Sequence, residues 1–355
     1  MSTVSGGFTF DGADAFERSE SAVTPSSFAY DVSVVVPTYR RPDMLERCLR
    51  AVMAQDMRAS RYEIIVCDDG PDDATRAKVM ALARECETTE PRGPRIRYVP
   101  VTATQGPAGA RNAGWHAAQS RFIAFTDDDT IPDAQWLSAG VAALDAGADA
   151  VSGRIVVPLP ARPTDYEQDA AGLSSAEFAT ANTFVKRSAM DRIGGFDARF
   201  TYAWREDSDL QFQLLRSGAH IVRSHDAMVL HPVRPARWGV SLSQQKKSQF
   251  DALLYKKHPA LFRSRIRSTP PVLYYMMLAV VVAAIVAYAL RFNSLAIACV
   301  IAWLAMSGWF CVKRLMKTAL TPSHVLEMAW TSLWIPFLSI YWRLYGAFKF
   351  RVVFV

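Results

Sequence analysis

Strand-like and helix-like segments alternate four times between Val32 and Ala146, and that rhythm constrains the fold more than any other feature of this 355-residue chain. Val32 to Val36 is a short β-branched run of the kind carried by strands buried on both faces. From Asp43, which is placed to cap, the apolar residues Met44, Leu45, Cys48, Leu49, Val52 and Met53 recur at helical spacing. A second strand covers Tyr62 to Cys67 and is followed by a helix to about Cys86. A third covers Ile96 to Val99, and Gly106 to Gly114 then leads into a helix with small residues on several sides. Phe122 to Phe125 is the fourth strand, and Ala134 to Ala146 the next helix. Such alternation predicts an α/β fold with a mostly parallel, doubly wound sheet and right-handed crossovers.

In sheets of this kind, ligands collect outside the carboxyl ends of the strands. Three of those ends carry polar groups here: Thr38, Tyr39 and Arg40 after the first, Asp68 and Asp69 after the second, and Asp127, Asp128 and Asp129 after the fourth. Like charges side by side at a sheet edge are unfavourable unless a cation joins them. Hard divalent ions such as Mg2+ or Mn2+ take oxygen ligands, and Mg2+ typically uses one or two carboxylates together with substrate phosphates. The rim therefore reads as a place for a metal-held diphosphate. Neither GxGxxG nor GxxxxGK[ST] occurs, so a bound phosphate has to be neutralised by the metal and by cations such as Arg111.

After Val157 the alternation ceases. Pro158 to Pro163 is a proline-rich excursion, Phe178 to Lys186 reads as a strand, and Ile193 to Asp197 as a tight turn. Leu210, Phe212, Leu214 and Leu215 then suit a helix with Glu206 and Asp207 in its first turn, where the helix N-terminus stabilises carboxylates. Residues 1–30 are Ser-, Gly- and Asp-rich without the apolar core of a signal peptide, and read as a flexible lead. Cys48, Cys67, Cys86, Cys299 and Cys311 lack metal-like spacing and read as free thiols in a reducing compartment.

Pro271 to Leu290 is nearly free of polar groups and long enough to span a hydrocarbon core of about 30 Å. Leu295 to Val312 is a second span, and both are apolar all round, which favours lipid over a buried hairpin. The predicted spans are thus about 272–290 and 295–312. A stretch at 325–342, interrupted by Glu327 and Pro336, reads as a third span or, preferably, a re-entrant interfacial helix. The net charge of +6 is modest, and its placement says more than its size. Basic residues crowd between Arg234 and Arg267 and recur near Lys313 and Lys349, while the turn between the spans holds only Arg291. That asymmetry predicts a multi-pass protein of the cytoplasmic membrane with its α/β domain on the cytoplasmic side, touching anionic membrane lipids and not nucleic acid. Residues 236–270 read as a basic amphipathic segment at the interface, with Trp238, Phe250 and Leu254 interleaved among Arg237, Lys246, Lys247, Lys256 and Lys257.

The order of these motifs over about residues 32–235 resembles that of the family 2 glycosyltransferases with the GT-A fold. Val34 to Tyr39 resembles the opening nucleotide loop and Cys67 to Gly70 the second nucleotide contact. Gly109 to Gly114 resembles the glycine-rich helix start, and Thr126 to Asp129 stands where the family has its DxD. Gly194 to Asp197, followed by Arg205 to Leu210, resembles the acceptor-side region with its catalytic acid pair. The resemblance implies a Rossmann-like nucleotide-diphospho-sugar transferase sheet, residues 31–235, followed by C-terminal transmembrane helices.

Carried over by position, it implies that Pro37, Tyr39, Arg40, Asp68, Asp69, Arg111, Asp127 and Asp128 hold a nucleotide sugar. Asp127 and Asp129 would bind Mg2+ or Mn2+, with His231 completing the metal shell. Asp207, paired with Glu206, would be the general base, and Trp204, Arg237 and Trp238 would meet the acceptor. The implied activity is metal-dependent, inverting sugar transfer to a lipid-linked or envelope-glycan acceptor. Arg40 and Arg41 depart from the Asn-Glu of many members. Arg234 to Trp238 resembles the [QR]xxRW motif of processive polysaccharide synthases, an alternative that the small number of apolar segments disfavours. A nucleotidyltransferase-like enzyme is a further alternative, but Pro37 to Arg41 lacks the glycines that class carries.

Overall fold

The structure, a computed structural model, describes residues 28–354, so nearly all of the expected lead lies outside the described residues. The predicted alternation is present. β1 (Tyr30–Thr38), α1 (Pro42–Met53), β2 (Tyr62–Asp69), α2 (Asp73–Thr88), β3 (Arg95–Val101), α3 (Pro107–Ala117), β4 (Ser120–Thr126), a two-residue β5 (Ile131–Pro132) and α4 (Trp136–Asp145) follow one another. The chain continues through β6 (Ala150–Val156), α5 (Asp165–Ala171), β7 (Asn182–Lys186), α6 (Arg187–Ile193), α7 (Glu206–Arg216) and β8 (Ile221–Leu230).

One eight-stranded sheet results, in the order β3-β2-β1-β4-β7-β6-β8-β5. The first four strands are parallel neighbours, β7 runs antiparallel between β4 and β6, and β6 and β8 pair in parallel. Alternate residues of a strand face opposite layers. Val34 and Val36 accordingly pack with Leu45, Leu49 and Trp136 from α1 and α4, whereas Val35 packs with Trp115, Leu210 and Phe250 on the other face. The small residues of α3 have a clear purpose at Gly114. A Cβ there would sit 2.3 Å from Val35 Cγ1 and 2.7 Å from Cys67 Sγ, so only glycine lets the helix approach β1 and β2 this closely.

Two local expectations change. Asp43 does not cap α1: Pro42 occupies the first turn and Arg41 the cap position, because a proline's fixed φ and missing N–H suit a helix start. The strand expected from Phe178 begins only at Asn182, whose N–H instead closes a turn onto the Ala179 carbonyl at 3.0 Å.

Beyond β8 come α8 (Val240–Gln244), α9 (Gln249–Lys257), α10 (Pro259–Leu261) and three long helices, α11 (Val272–Ala289), α12 (Asn293–Leu315) and α13 (Pro322–Lys349). Among the described residues, α11 and α12 are the two helices long and apolar enough to cross a membrane, and only 11% of either apolar stretch is buried. The third hydrophobic stretch forms one helix, longer than expected and continuous through Pro336. The amphipathic segment also differs from expectation. Phe250 and Leu254 are fully buried against the second face of the sheet, so they are not available to lipid, whereas Trp238 is 53% exposed. Tertiary packing has taken the apolar side of this segment into the core.

Candidate active site

The carboxyl rim of the sheet assembles the predicted acids. Asp127, Asp128 and Asp129 leave β4 in a turn closed by the Thr130 N–H on the Asp127 carbonyl at 3.2 Å. The three side chains do not share one face. Asp127 accepts from Arg111 at 2.6 Å, while Asp129 lies 3.5 Å from His231 Nε2 and 3.0 Å from Arg234 Nε. Asp127, Asp129 and His231 each offer a ligand atom within 4.8 Å of the others. Two carboxylates and an imidazole suit a divalent ion.

Asp128 turns the other way. Buried at 3% exposure, it accepts from Thr38 Oγ1 at 2.8 Å and pairs with Arg41 at 3.0 Å. Burial pushes its carboxyl up to about 6 against the pull of Arg41. Asp128 thus ties the loop after β1 to the acid turn. Arg41, read from the sequence only as a departure from the family, is the cation that completes this tie.

At the end of β2, Asp68 is fully buried and accepts from Tyr98 Oη at 2.8 Å and from the Asp72 N–H at 3.3 Å, while its Oδ1 has no protein partner. Asp69 accepts the Gly106 N–H at 2.7 Å, locking the entrance to α3. Burial raises both carboxyls above their usual range. Pro37 lies in β1 opposite Cys67, and the half-exposed Tyr39 ring rests over Gly70, where a Cβ would come within 2.8 Å of it. Arg40 stacks its guanidinium 5.3 Å from that ring. The rim of β1 and β2 therefore presents an aromatic surface, with the unpartnered carboxylate oxygen buried behind it.

Arg111 joins this rim to the acidic helix start. It is 3% exposed, and its second guanidinium nitrogen lies 3.3 Å from Glu206. Both terminal nitrogens are engaged by protein carboxylates. Burial, with Asp207 next to it, pushes Glu206 up to about 8. Burial would raise Asp127 as well, but Arg111 and His231 hold it below the ordinary range. Asp207 accepts from Thr180 Oγ1 at 2.5 Å, and burial raises its carboxyl although Arg111 opposes this.

Other partners were not foreseen. Asp209, fully buried, accepts from Lys257 Nζ at 2.7 Å and is bonded to His258 Nε2 at 2.9 Å. Trp204 donates its indole N–H to Asp251 at 3.2 Å and takes Lys247 over its ring at 5.7 Å. Arg237 and Trp238 line a separate cavity of about 510 Å³ with Tyr166, Arg234 and Ser243. Arg234 connects the two places, because it also holds Asp129.

The family model described as Glycosyl transferase family 2 matches residues 33–206, and that of Glycosyl transferase family group 2 matches residues 122–312, more than half of the chain. This chain is a family 2 glycosyltransferase. Among curated relatives, the transferase is 28% identical over 58% of its length to Glycosyltransferase AglE of Haloferax volcanii, covering 67% of that protein. It is 35% identical over 28% of its length to the GalNAc(5)-diNAcBac-PP-undecaprenol beta-1,3-glucosyltransferase of Campylobacter jejuni, spanning only 29% of it. A solved structure, the mannosyltransferase PcManGT of Pyrobaculum calidifontis in complex with GDP-Man and Mn2+, superposes with a TM-score of 0.52 at 20% identity over 91% of each chain. The likeness places the glycosyltransferase in the GT-A fold.

Proposed function

We propose that this transferase moves a hexose from a nucleoside-diphosphate donor to a lipid-linked glycan at the cytoplasmic face of the membrane, with inversion at the anomeric carbon. The observation that carries this reading is Arg111, which bridges the candidate metal ligand Asp127 at 2.6 Å and Glu206, next to Asp207, at 3.3 Å. It brings a diphosphate-binding edge and a separate carboxylate to one place.

Asp127, Asp129 and His231 would hold a divalent ion, which when bound supplies positive charge for the leaving diphosphate. The remaining chemistry belongs to the chain. Tyr39 would carry the base on its exposed face, and the buried Asp68 behind it, whose Oδ1 has no protein partner, would supply an acceptor for an N–H. The acceptor oxygen attacks the anomeric carbon as the bond to the diphosphate oxygen breaks, and the hydroxyl proton passes to Asp207. Thr180 fixes one oxygen of that carboxylate, and the other would take the proton. A carboxyl raised by burial suits proton transfer near neutrality.

Trp204, Arg237 and Trp238 would meet the acceptor. The undecaprenyl-diphosphate substrate named for the Campylobacter relative and the two exposed apolar helices support a lipid-linked one. Arg314, at the end of α12, pairs with Asp165 of the α/β domain at 2.6 Å, which supports the basic ends of the hairpin lying on the catalytic side.

The test is nucleoside-diphosphate release by the detergent-purified chain from UDP-glucose and GDP-mannose, with polyprenyl-diphosphate-linked sugars present. Turnover should need Mn2+ or Mg2+ and disappear with chelator. Asp207→Asn should lower kcat by about 10²–10⁴-fold. Release unaffected by both chelator and Asp207→Asn would end this reading.

A further inference from the structure

Two charged groups outside the described chemistry, Arg205 and Asp251, meet beside the acid pair. Arg205, immediately before Glu206 and Asp207, adopts the left-handed conformation with φ 74°, which side chains bearing a Cβ avoid. Its carbonyl accepts the first hydrogen bond of α7, from the Asp209 N–H at 2.8 Å, so its backbone sets the direction in which the helix starts. That conformation has an external support. Asp251, in the first turn of α9, accepts from Arg205 Nε at 2.6 Å and from the Trp204 indole at 3.2 Å, and the Arg205 guanidinium stacks 4.5 Å from the Trp204 ring.

The same helix grips α7 a second time. Lys257, at the end of α9, and the following His258 both reach Asp209. On its far side α9 sits on α13, with Lys349 Nζ donating to Gln249 Oε1 at 3.1 Å and Lys256 Nζ to the Phe350 carbonyl at 2.8 Å. Both ends of α9 therefore hold the helix that presents the acid pair, while its back rests on the C-terminal helices.

We infer that Asp251 is a positioning residue for the transfer: by holding Arg205 in its left-handed conformation it aims Asp207, which makes α9 a working part of the active site rather than a linker to the membrane. Strained backbone that persists at such a place is held by its surroundings. The inference rests on the assignment of Asp207 as the base. It requires that Asp251 matter only while residue 205 needs support. Glycine adopts positive φ freely, so it should remove that need.

The experiment measures nucleoside-diphosphate release by the full-length chain in detergent, in the assay above, with donor KM determined in parallel. Asp251→Asn should lower kcat about 10- to 100-fold while donor KM stays unchanged, as expected when a catalytic group is misplaced by a fraction of an ångström. In an Arg205→Gly background, or Arg205→Asn should the glycine chain lack measurable turnover, the added Asp251→Asn change should cost less than about twofold, because coupled residues are not additive. Wild-type kcat in Asp251→Asn, or the same loss in both backgrounds, overturns the inference. Asp207→Asn is run alongside to separate the two claims. If it still turns over, the base assignment fails, whereas an inactive Asp207→Asn beside an unimpaired Asp251→Asn removes the clamp alone.

Discussion

The seat of α9 on α13 yields a prediction whose sign depends on magnitude. Gly346 faces the backbone of α9, and a Cβ added there would lie 2.3 Å from the Gln249 carbonyl oxygen and 2.8 Å from its Cα. Ordinary contact begins near 3.4 Å, so one helix has to shift by about 1.1 Å. The obstacle is backbone and cannot rotate away. Inside a helix, Gly→Ala on its own gains about 0.5–1 kcal/mol. Overpacking of this kind costs about 1–3 kcal/mol, so Gly346→Ala should be a net loss of about 1 kcal/mol. Gly308 in α12 is the matched control, because nothing lies within 4 Å of its added Cβ. Thermal unfolding of the detergent-solubilised chain, followed by tryptophan fluorescence, should show Gly346→Ala about 2–4 °C below wild type and Gly308→Ala at or above it. The Gly346→Ala chain should also lose kcat, because the shift is transmitted to Asp251. Equal stability of the two variants would refute the argument that α9 and α13 are in close backbone contact.

Two further predictions test the remaining ties. Burial would raise the Asp197 carboxyl, but bonds from Arg199 and from Lys257, the latter at 2.8 Å, outweigh it and hold the group well below the ordinary 3.8. Its contribution is therefore complete above that ordinary value and is lost as pH falls through the folded-state value. Asp197→Asn should cost about 1–2 kcal/mol at pH 7 and flatten the acid limb of a urea-midpoint titration, and an unchanged acid limb would contradict this. Arg314 reaches Asp165 at 2.6 Å, Thr331 at 2.7 Å and Ser332 at 3.1 Å with its side chain only 9% exposed. Arg314→Met should cost about 3 kcal/mol and open residues 158–175 to limited proteolysis, with Asp165→Asn in the same chain recovering part of the loss.

Much of the scaffold could be read from local pattern. A β-branched run such as Val32 to Val36 and the spacing of Leu45, Cys48, Leu49 and Val52 each carry their period within a few residues, and the structure keeps both. The acidic strand ends were equally visible, since Asp68 and Asp127 follow directly from the strands that place them. Side-chain direction beyond the strand was not. Asp128 turned inward because Thr38 and Arg41, 90 and 87 residues away in sequence, supply its partners. The apolar residues of α9 could as well have met lipid by composition, and only the sheet packed beneath them decided otherwise.

The sequence by itself determined the alternating elements, the acids at the rim, and two helices too apolar for water, because those properties are written in neighbouring residues. Tertiary structure alone decided which charges share a partner. Arg111 between Asp127 and Glu206, and Asp251 beneath Arg205, join segments 16, 95 and 46 residues apart. A buried charge is tolerable only where the fold delivers its counter-charge, and no local pattern specifies that meeting.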